Sequence, residues 1–276
     1  MVITANSSPG RNDKYKPMRI SINNIQLNVI EQGSGPLTLV LLHYFGGSAM
    51  EWQSVMAQLS DRYRCIAIDL RGHGDSDSPE TGYSVDDMAD DVAAVLREKN
   101  TVSFVLIGHS MSGKVAMALA ARQPSGLQSL LLLSPSPPLP EPIPDEDRQE
   151  MLDTHGQKKA AEDTFRQITE KPLSEEAHAQ IVADNLRTAN VAWDAWLLEG
   201  SKEDISDRMN LVTVPVHLLV GTDDRAVKPG VSETMTMPYL STATFETVAG
   251  AGHLLPWETP DTVVDFIQKK IASDFA

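Results

Sequence analysis

The chain has a single cysteine in 276 residues. Cys65 can close no internal disulfide, which suits a reducing compartment and gives the expectation of a cytoplasmic protein. It sits in the apolar run "RCIAIDL" between Arg64 and Ile66, the place of a packed strand residue and not of a nucleophile at a helix start. Long hydrophobic runs are also lacking. The longest, Leu37 to Leu42, is interrupted by Thr38 and falls far short of the roughly 18 residues a membrane span requires. Positive charge is scarce as well: 23 Lys and Arg stand against 38 Asp and Glu, a net charge of −15. A surface of that sign repels nucleic acid and anionic membranes, so a small-molecule substrate is the expected partner, and the composition does not fix an oligomeric state. Residues 1–17, "MVITANSSPGRNDKYKP", carry no apolar signal region and read as a flexible tail, with the Asn6-Ser7-Ser8 sequon inert. No H-E-x-x-H occurs, and His155, His178 and His217 lack ligand spacing, so no metal is expected. Gly250 and Gly252 do not continue into a dinucleotide fingerprint, and no cofactor is called for.

What the chain does have is alternation. Strand-like runs recur at Met18 to Ile22, Ile25 to Glu31, Leu37 to Leu42, Arg64 to Ile68, Phe104 to Ile107, Leu127 to Leu133, Val216 to Val220 and Ala243 to Val248. From the third onward they are short, mostly continuous in apolar character and bounded by Gly, Asp or Pro, as strands buried on both faces must be. Helical patterns lie between them. Ser84 to Lys99 places Met88, Val92, Val95 and Leu96 on one face and opens with Asp86 and Asp87; others cover Met111 to Ala121 and Thr259 to Ile271. The expected fold class is therefore α/β, a mostly parallel central sheet flanked by helices, with an antiparallel start. One region breaks the rhythm. "PPLPEPIPDED" leaves the sheet as a stiff extended segment, and charge-rich helical sequence follows to about Met209. The chain thus divides into a core, 18–134 and 212–276, and an inserted helical cap, 135–211.

The chemistry turns on "LIGHSMSGKV", Leu106 to Val115. Gly108, Gly113 and Lys114 nearly spell the phosphate loop G-x-x-x-x-G-K-[ST], and Gly108, His109 and Ser110 nearly spell the nucleophile elbow G-x-S-x-G. The phosphate reading fails at Val115, where the Mg²⁺-holding hydroxyl belongs, and several strands precede the loop. The elbow reading meets Ser112 where a glycine is usual, a small residue followed at once by Gly113. A serine hydroxyl needs a base within hydrogen-bond reach, and the base needs an acid. The chain supplies both downstream, in "VHLLVGTDDRAVKP" and "FETVAGAGHLLPWETP".

With "LLHYFGGS" after the third strand and "DLRGHGDSD" after the fourth, these motifs resemble an α/β-hydrolase-fold serine hydrolase with a helical cap, from Met18 to the C-terminus. The resemblance implies Ser110 as nucleophile, His253 as base and Asp224 as acid, with the adjacent Asp223 as the competing acid. It implies an oxyanion hole from the backbone N–H groups of Phe45 and Met111, with Tyr44 standing where the family has glycine. No carboxylate follows the preceding strand, where some members place the acid. His43 and His109 read as loop-holding residues, and His73 as a loop residue whose nearness to Ser76 mimics a dyad. Trp193 and Trp196 share a helical face; they pack the cap, or one of them roofs the pocket together with Tyr44. The implied activity is hydrolysis of a carboxylic ester or lactone of a small neutral or apolar substrate, without cofactor. Carbon–carbon bond hydrolysis and perhydrolysis use the same triad. A serine at the elbow argues against haloalkane dehalogenases and epoxide hydrolases, which need aspartate. A ligand receptor on the same fold is the non-enzymatic alternative, separated by turnover.

Overall fold

A computed structural model describes residues 16–275. The expected tail lies outside the described residues except for Lys16 and Pro17, which belong to the first strand. Eight strands form one sheet in the order β1-β2-β4-β3-β5-β6-β7-β8. They run β1 Lys16–Ile22, β2 Ile25–Gln32, β3 Thr38–Leu42, β4 Arg64–Ile68, β5 Phe104–His109, β6 Leu127–Leu133, β7 Val216–Gly221 and β8 Ala243–Val248. β2 pairs antiparallel with both β1 and β4, and the pairs from β3 onward are parallel.

Every residue of β3, β5 and β7 is buried, because helices cover both faces. Alternate residues of one strand serve the two sides: Val40, Leu42, Leu106 and Leu132 join one apolar cluster, while Leu39, Leu41, Ile107 and Leu133 join the other. The first side is closed by α2 (Val85–Glu98) and α3 (Met111–Ala121), the second by α1 (Gln53–Leu59) and the C-terminal helix Pro260–Asp274. Ser84 caps α2 through a capping box with Asp87. Thr259, expected inside the last helix, is instead its N-cap, with Pro260 in the first turn where a missing N–H costs nothing. The sequence pattern assigns no helix between β3 and β4; α1 is only 7 residues long, too short for its period to stand out. The edge strand β8 is half-exposed, which accounts for its alternating "ATFETV".

Between β6 and β7 the chain forms α4 (Asp145–Thr154), α5 (Lys158–Ile168), α6 (Glu175–Arg187) and α7 (Asn190–Leu198). α7 packs Trp193, Trp196 and Leu197 into the core cluster, and polar stitches near the carboxyl ends of the strands add to this contact. Ser48 Oγ donates to Asp184 at 2.7 Å, Ala189 N–H to Gly72 O at 2.8 Å and His253 N–H to Ile168 O at 2.9 Å.

Candidate active site

Ser110 is the single residue between β5 and α3, and its backbone sits at φ 55°, ψ −120°. A residue with a Cβ pays strain of about 1–3 kcal/mol there and stays only where its surroundings hold it. Here Ser110 N–H donates to Leu133 O at 2.9 Å, and Ser110 O accepts from Gly113 N–H at 2.8 Å and Ser136 N–H at 2.9 Å. The two glycines are obligatory by contact. A Cβ on Gly108 would lie 2.6 Å from Ser112 O, and one on Gly113 would lie 2.6 Å from Pro135 Cβ. Ser112 fits because its hydroxyl accepts from His109 N–H at 3.0 Å and reaches Leu42 O at 2.9 Å. Lys114 points away from the turn: its buried ammonium donates to Glu203 O at 2.7 Å. The lysine a phosphate loop needs is therefore committed elsewhere.

His253 lies in the loop after β8, and its Nδ1–H donates to Asp224 Oδ2 at 2.8 Å. That bond fixes the tautomer and leaves Nε2 as an acceptor. Asp224, in the loop after β7, uses Oδ1 to accept from the N–H groups of Ala226 and Val227, each at 2.9 Å. The neighbouring Asp223 is exposed and makes no such bond. Burial, the largest single influence, raises the Asp224 carboxyl, but the charge and hydrogen bond of His253 with those of Ser134 and Val227 outweigh it, and the net is downward from 3.8. Burial likewise pushes His253 down, and the charge and hydrogen bond of Asp224, with Glu141 and Glu258 adding, carry it above 6.5. Ser134 follows the last residue of β6, the family's other place for an acid, and supplies no carboxylate there.

Ser110 and His253 are 7% and 3% exposed, yet both line a cavity of about 700 Å³ shared with Tyr44, Phe45, Trp193 and Trp196. The structure thus brings these sequence-predicted residues to one place. The Met111 N–H opens α3, where no intrahelical acceptor exists. Phe45 lies in the β3 loop, its ring 4.3 Å from that of Trp193. Tyr44 is accommodated because Gly47 has no side chain; a Cβ there would lie 2.5 Å from the tyrosine ring. Trp193 donates Nε1–H to Met151 O at 3.0 Å and stacks on His155 at 4.1 Å, so it both packs the inserted helices and faces the cavity.

The loop histidines are held as the sequence suggests. His43 donates Nδ1–H to Tyr44 O and accepts from Leu70 N–H, and burial lowers it to about 4, so it stays neutral. Ser76 Oγ donates to Asp69 O at 2.6 Å, which removes it as a partner for His73. Burial lifts the Cys65 thiol to about 12. Among the carboxylates that no sequence motif marks are Glu51 and Glu258. Glu51, 1% exposed, faces His109 Nδ1 at 3.3 Å and accepts from Tyr44 N–H, while His109 Nε2–H donates to His253 O at 2.9 Å. Glu258 accepts from Gly252 and Leu254 N–H at 3.0 Å and from Glu170 and Lys171 N–H at 2.9 Å. No motif announces either, since each also acts on a group remote in sequence, His109 for Glu51 and the Glu170 and Lys171 amides for Glu258.

The strained serine turn, the buried acid–imidazole pair and the eight-stranded sheet beneath them agree with a family match spanning residues 39–266. The chain belongs to the alpha/beta hydrolase family. This α/β hydrolase is 39% identical over 125 residues to the 2-(acetamidomethylene)succinate hydrolase of Mesorhizobium japonicum, a match covering 45% of each chain. It is 30% identical over 254 residues to a non-heme chloroperoxidase of Streptomyces lividans, covering 82% of this chain and 89% of that one. Its fold matches an esterase from Exiguobacterium antarcticum with a TM-score of 0.84 at 20% identity, over 95% of this chain and 100% of that one. Among the described residues no helix is long and apolar enough to cross a membrane.

Proposed function

We propose that this α/β hydrolase cleaves a carboxylic ester or lactone through an acyl-enzyme on Ser110. The observation that carries the reading is the 2.8 Å bond from His253 Nδ1–H to buried Asp224, beside a strained serine on the same cavity wall. Ser110 Oγ attacks the carbonyl carbon while His253 Nε2 takes its proton. The Phe45 and Met111 N–H groups stabilise the oxyanion, a contribution of about 10²–10³-fold per donor. Collapse expels the alcohol with the proton from His253, and a water activated by the same imidazole releases the acid. Apolar walls from Phe45, Ile143, Met151, Trp196 and Val231 suit a small substrate with an apolar body. In this reading residues 135–211 are the cap over the site. The lone buried Cys65 supports a cytoplasmic location.

Similarity to a chloroperoxidase favours a second reading, in which hydrogen peroxide replaces water at the acyl-enzyme. The deciding experiment is covalent capture of Ser110 by a fluorophosphonate, with p-nitrophenyl butyrate hydrolysis followed before and after exhaustive chelation. Loss of hydrolysis in proportion to labelling, and full activity without metal, is the expected result. Activity surviving complete labelling overturns the serine mechanism. Labelling without turnover of any ester favours a receptor. Peroxide-dependent peracid formation faster than hydrolysis favours the second reading.

A further inference from the structure

Glu141 is a carboxylate inside the substrate cavity that the mechanism above does not use. It comes from the proline-rich exit after β6, and its backbone N–H donates to Ser201 O at 2.7 Å, which pins the segment. The side chain is half-buried by surface, and it lines the same cavity as Ser110 and His253. One carboxylate oxygen, Oε1, accepts from Ser136 Oγ. Ser136 in turn donates its N–H to Ser110 O at 2.9 Å, which ties this carboxylate to the turn carrying the nucleophile. The other oxygen, Oε2, has no hydrogen-bond partner among the described residues. Its charge is close enough to be felt by His253, and burial pushes its carboxyl upward. A carboxylate oxygen on a cavity wall with no donor from the protein is left to water or a ligand.

The rest of the cavity agrees in sign. Asp163 is paired with Lys159, and Arg225 with Glu170, so those cations are spent within the protein. Of the other charged side chains on the wall, Glu141, Asp147 and Glu150 are acidic and Lys228 is basic, and none of the four forms an ion pair among the described residues. Lys114 and Arg148, whose charges reach Glu141, are turned to other partners: Lys114 to the carbonyl oxygens of Ser201 and Glu203, and Arg148 to Leu197 O and Ser201 Oγ.

We infer that Glu141 is a specificity-determining residue that selects substrates carrying a hydrogen-bond donor, an ammonium or a hydroxyl, near the scissile carbonyl, and disfavours substrates with a carboxylate there. The inference rests on the serine-hydrolase reading and names its substrate class. A charge-assisted hydrogen bond to such a donor is worth about tenfold or more in kcat/KM when the transition state keeps it.

The test uses matched esters on the full chain. On the leaving-group side, the butyrate thioester of dimethylaminoethanethiol, protonated at neutral pH, is compared with the thioester of isoamyl thiol, its uncharged isostere. Mercaptoethanol and mercaptopropionate thioesters supply the hydroxyl and carboxylate arms. On the acyl side, the S-ethyl thioester of 4-(dimethylamino)butyrate, protonated at neutral pH and so carrying an N–H donor, is compared with that of 5-methylhexanoate, its uncharged isostere. The expected result is a preference of about tenfold for the donor or cation on one of the two sides, with the carboxylate ester poorest. Glu141→Gln should bring the cation-to-isostere ratio close to one, and Glu141→Lys should move the preference toward the carboxylate. The hydroxyl arm tells the sources apart: a hydroxyl preferred as strongly as the ammonium assigns a neutral hydrogen bond, and ammonium alone assigns charge. Because the readout is a ratio within one protein, a partly folded variant does not distort it. A ratio near one on both sides in the wild type, or a ratio unchanged by Glu141→Gln, overturns the inference while ester hydrolysis stands. Failure of every ester together with failure of Ser110 labelling overturns the serine-hydrolase reading itself.

Discussion

The helix that follows Ser110, α3, and the helices α4 and α5 that line the cavity are built to opposite rules. In α3 every residue from Met111 to Ala121 is buried, including Lys114. In α4 only Arg148 is buried, and in α5 only Ala161. A wholly buried helix has one way to sit, because a void or an overlap on any side is costly in a close-packed interior. Helices buried along one residue can settle differently at small cost, and here they are tied by a handful of polar bonds. Positions that must be exact to fractions of an ångström therefore belong to the core, and the inserted helices shape the space around them. Perturbing each region should give distinct signatures.

The largest effect belongs to the core. Ser110→Ala removes the attacking oxygen from the proposed nucleophile and should lower kcat/KM by about 10³-fold or more, with little change in melting temperature. Steady-state assay beside a thermal melt checks both parts. Near-native turnover would move the nucleophile elsewhere.

Next comes the choice of acid. Asp224→Asn should cost about 10³-fold in kcat, since the amide can hold the wrong imidazole tautomer. Asp223→Asn, at an exposed position beside it, should stay within about twofold. The reverse ranking would break the assignment made from the 2.8 Å bond.

The seam between the two regions gives a smaller, mixed effect. Glu258 holds the His253 loop and the α5–α6 connection on one carboxylate, accepting from Gly252, Leu254, Glu170 and Lys171. Glu258→Ala orphans those buried donors and should cost about 2–3 kcal/mol of stability. It should also lower kcat by about tenfold as His253 loosens. Glu258→Gln, which keeps an acceptor, should recover part of both in denaturant titration and assay. A stability loss with kcat untouched would show that the seam holds the inserted helices without positioning the imidazole.

The contrast also explains what could be read from the sequence. Strands such as β5 and β7, buried on both faces, betray themselves as apolar runs, and the Gly108 and Gly113 contacts are local enough to leave a motif. Ser110, Asp224 and His253 were legible because each follows a strand end in a fixed order. Glu51, Glu141 and Glu258 were not: Glu51 and Glu258 act on groups from distant segments, Glu141 reaches the cavity only through the path of its proline-rich segment, and a lone Glu in a loop is ordinarily a solvated surface residue. The inserted helices could be placed by composition, but their cavity walls depend on how lightly anchored helices settle.

The smallest effect separates the two regions by charge. In the proposed mechanism His253 must be neutral to accept the serine proton, so kcat/KM should rise with pH through its ionisation and then level off. Its pKa is raised from 6.5, so the acid limb should be displaced upward, with a midpoint above that value. Burial alone would displace it downward. The upward influences come from Asp224 first, by charge and by hydrogen bond, and then from Glu141 and Glu258 by charge. Asp224→Asn should therefore lower the midpoint most, measured on its residual activity. Glu141→Gln, in the segment leading into the inserted helices, should lower it by a smaller amount, because charge through the cavity is weaker than charge with contact. A wild-type midpoint below 6.5 would mean that burial outweighs the core acid. Equal shifts in the two variants would mean that the inserted segment sets the base as strongly as the core does, and the division of labour between the regions would fail.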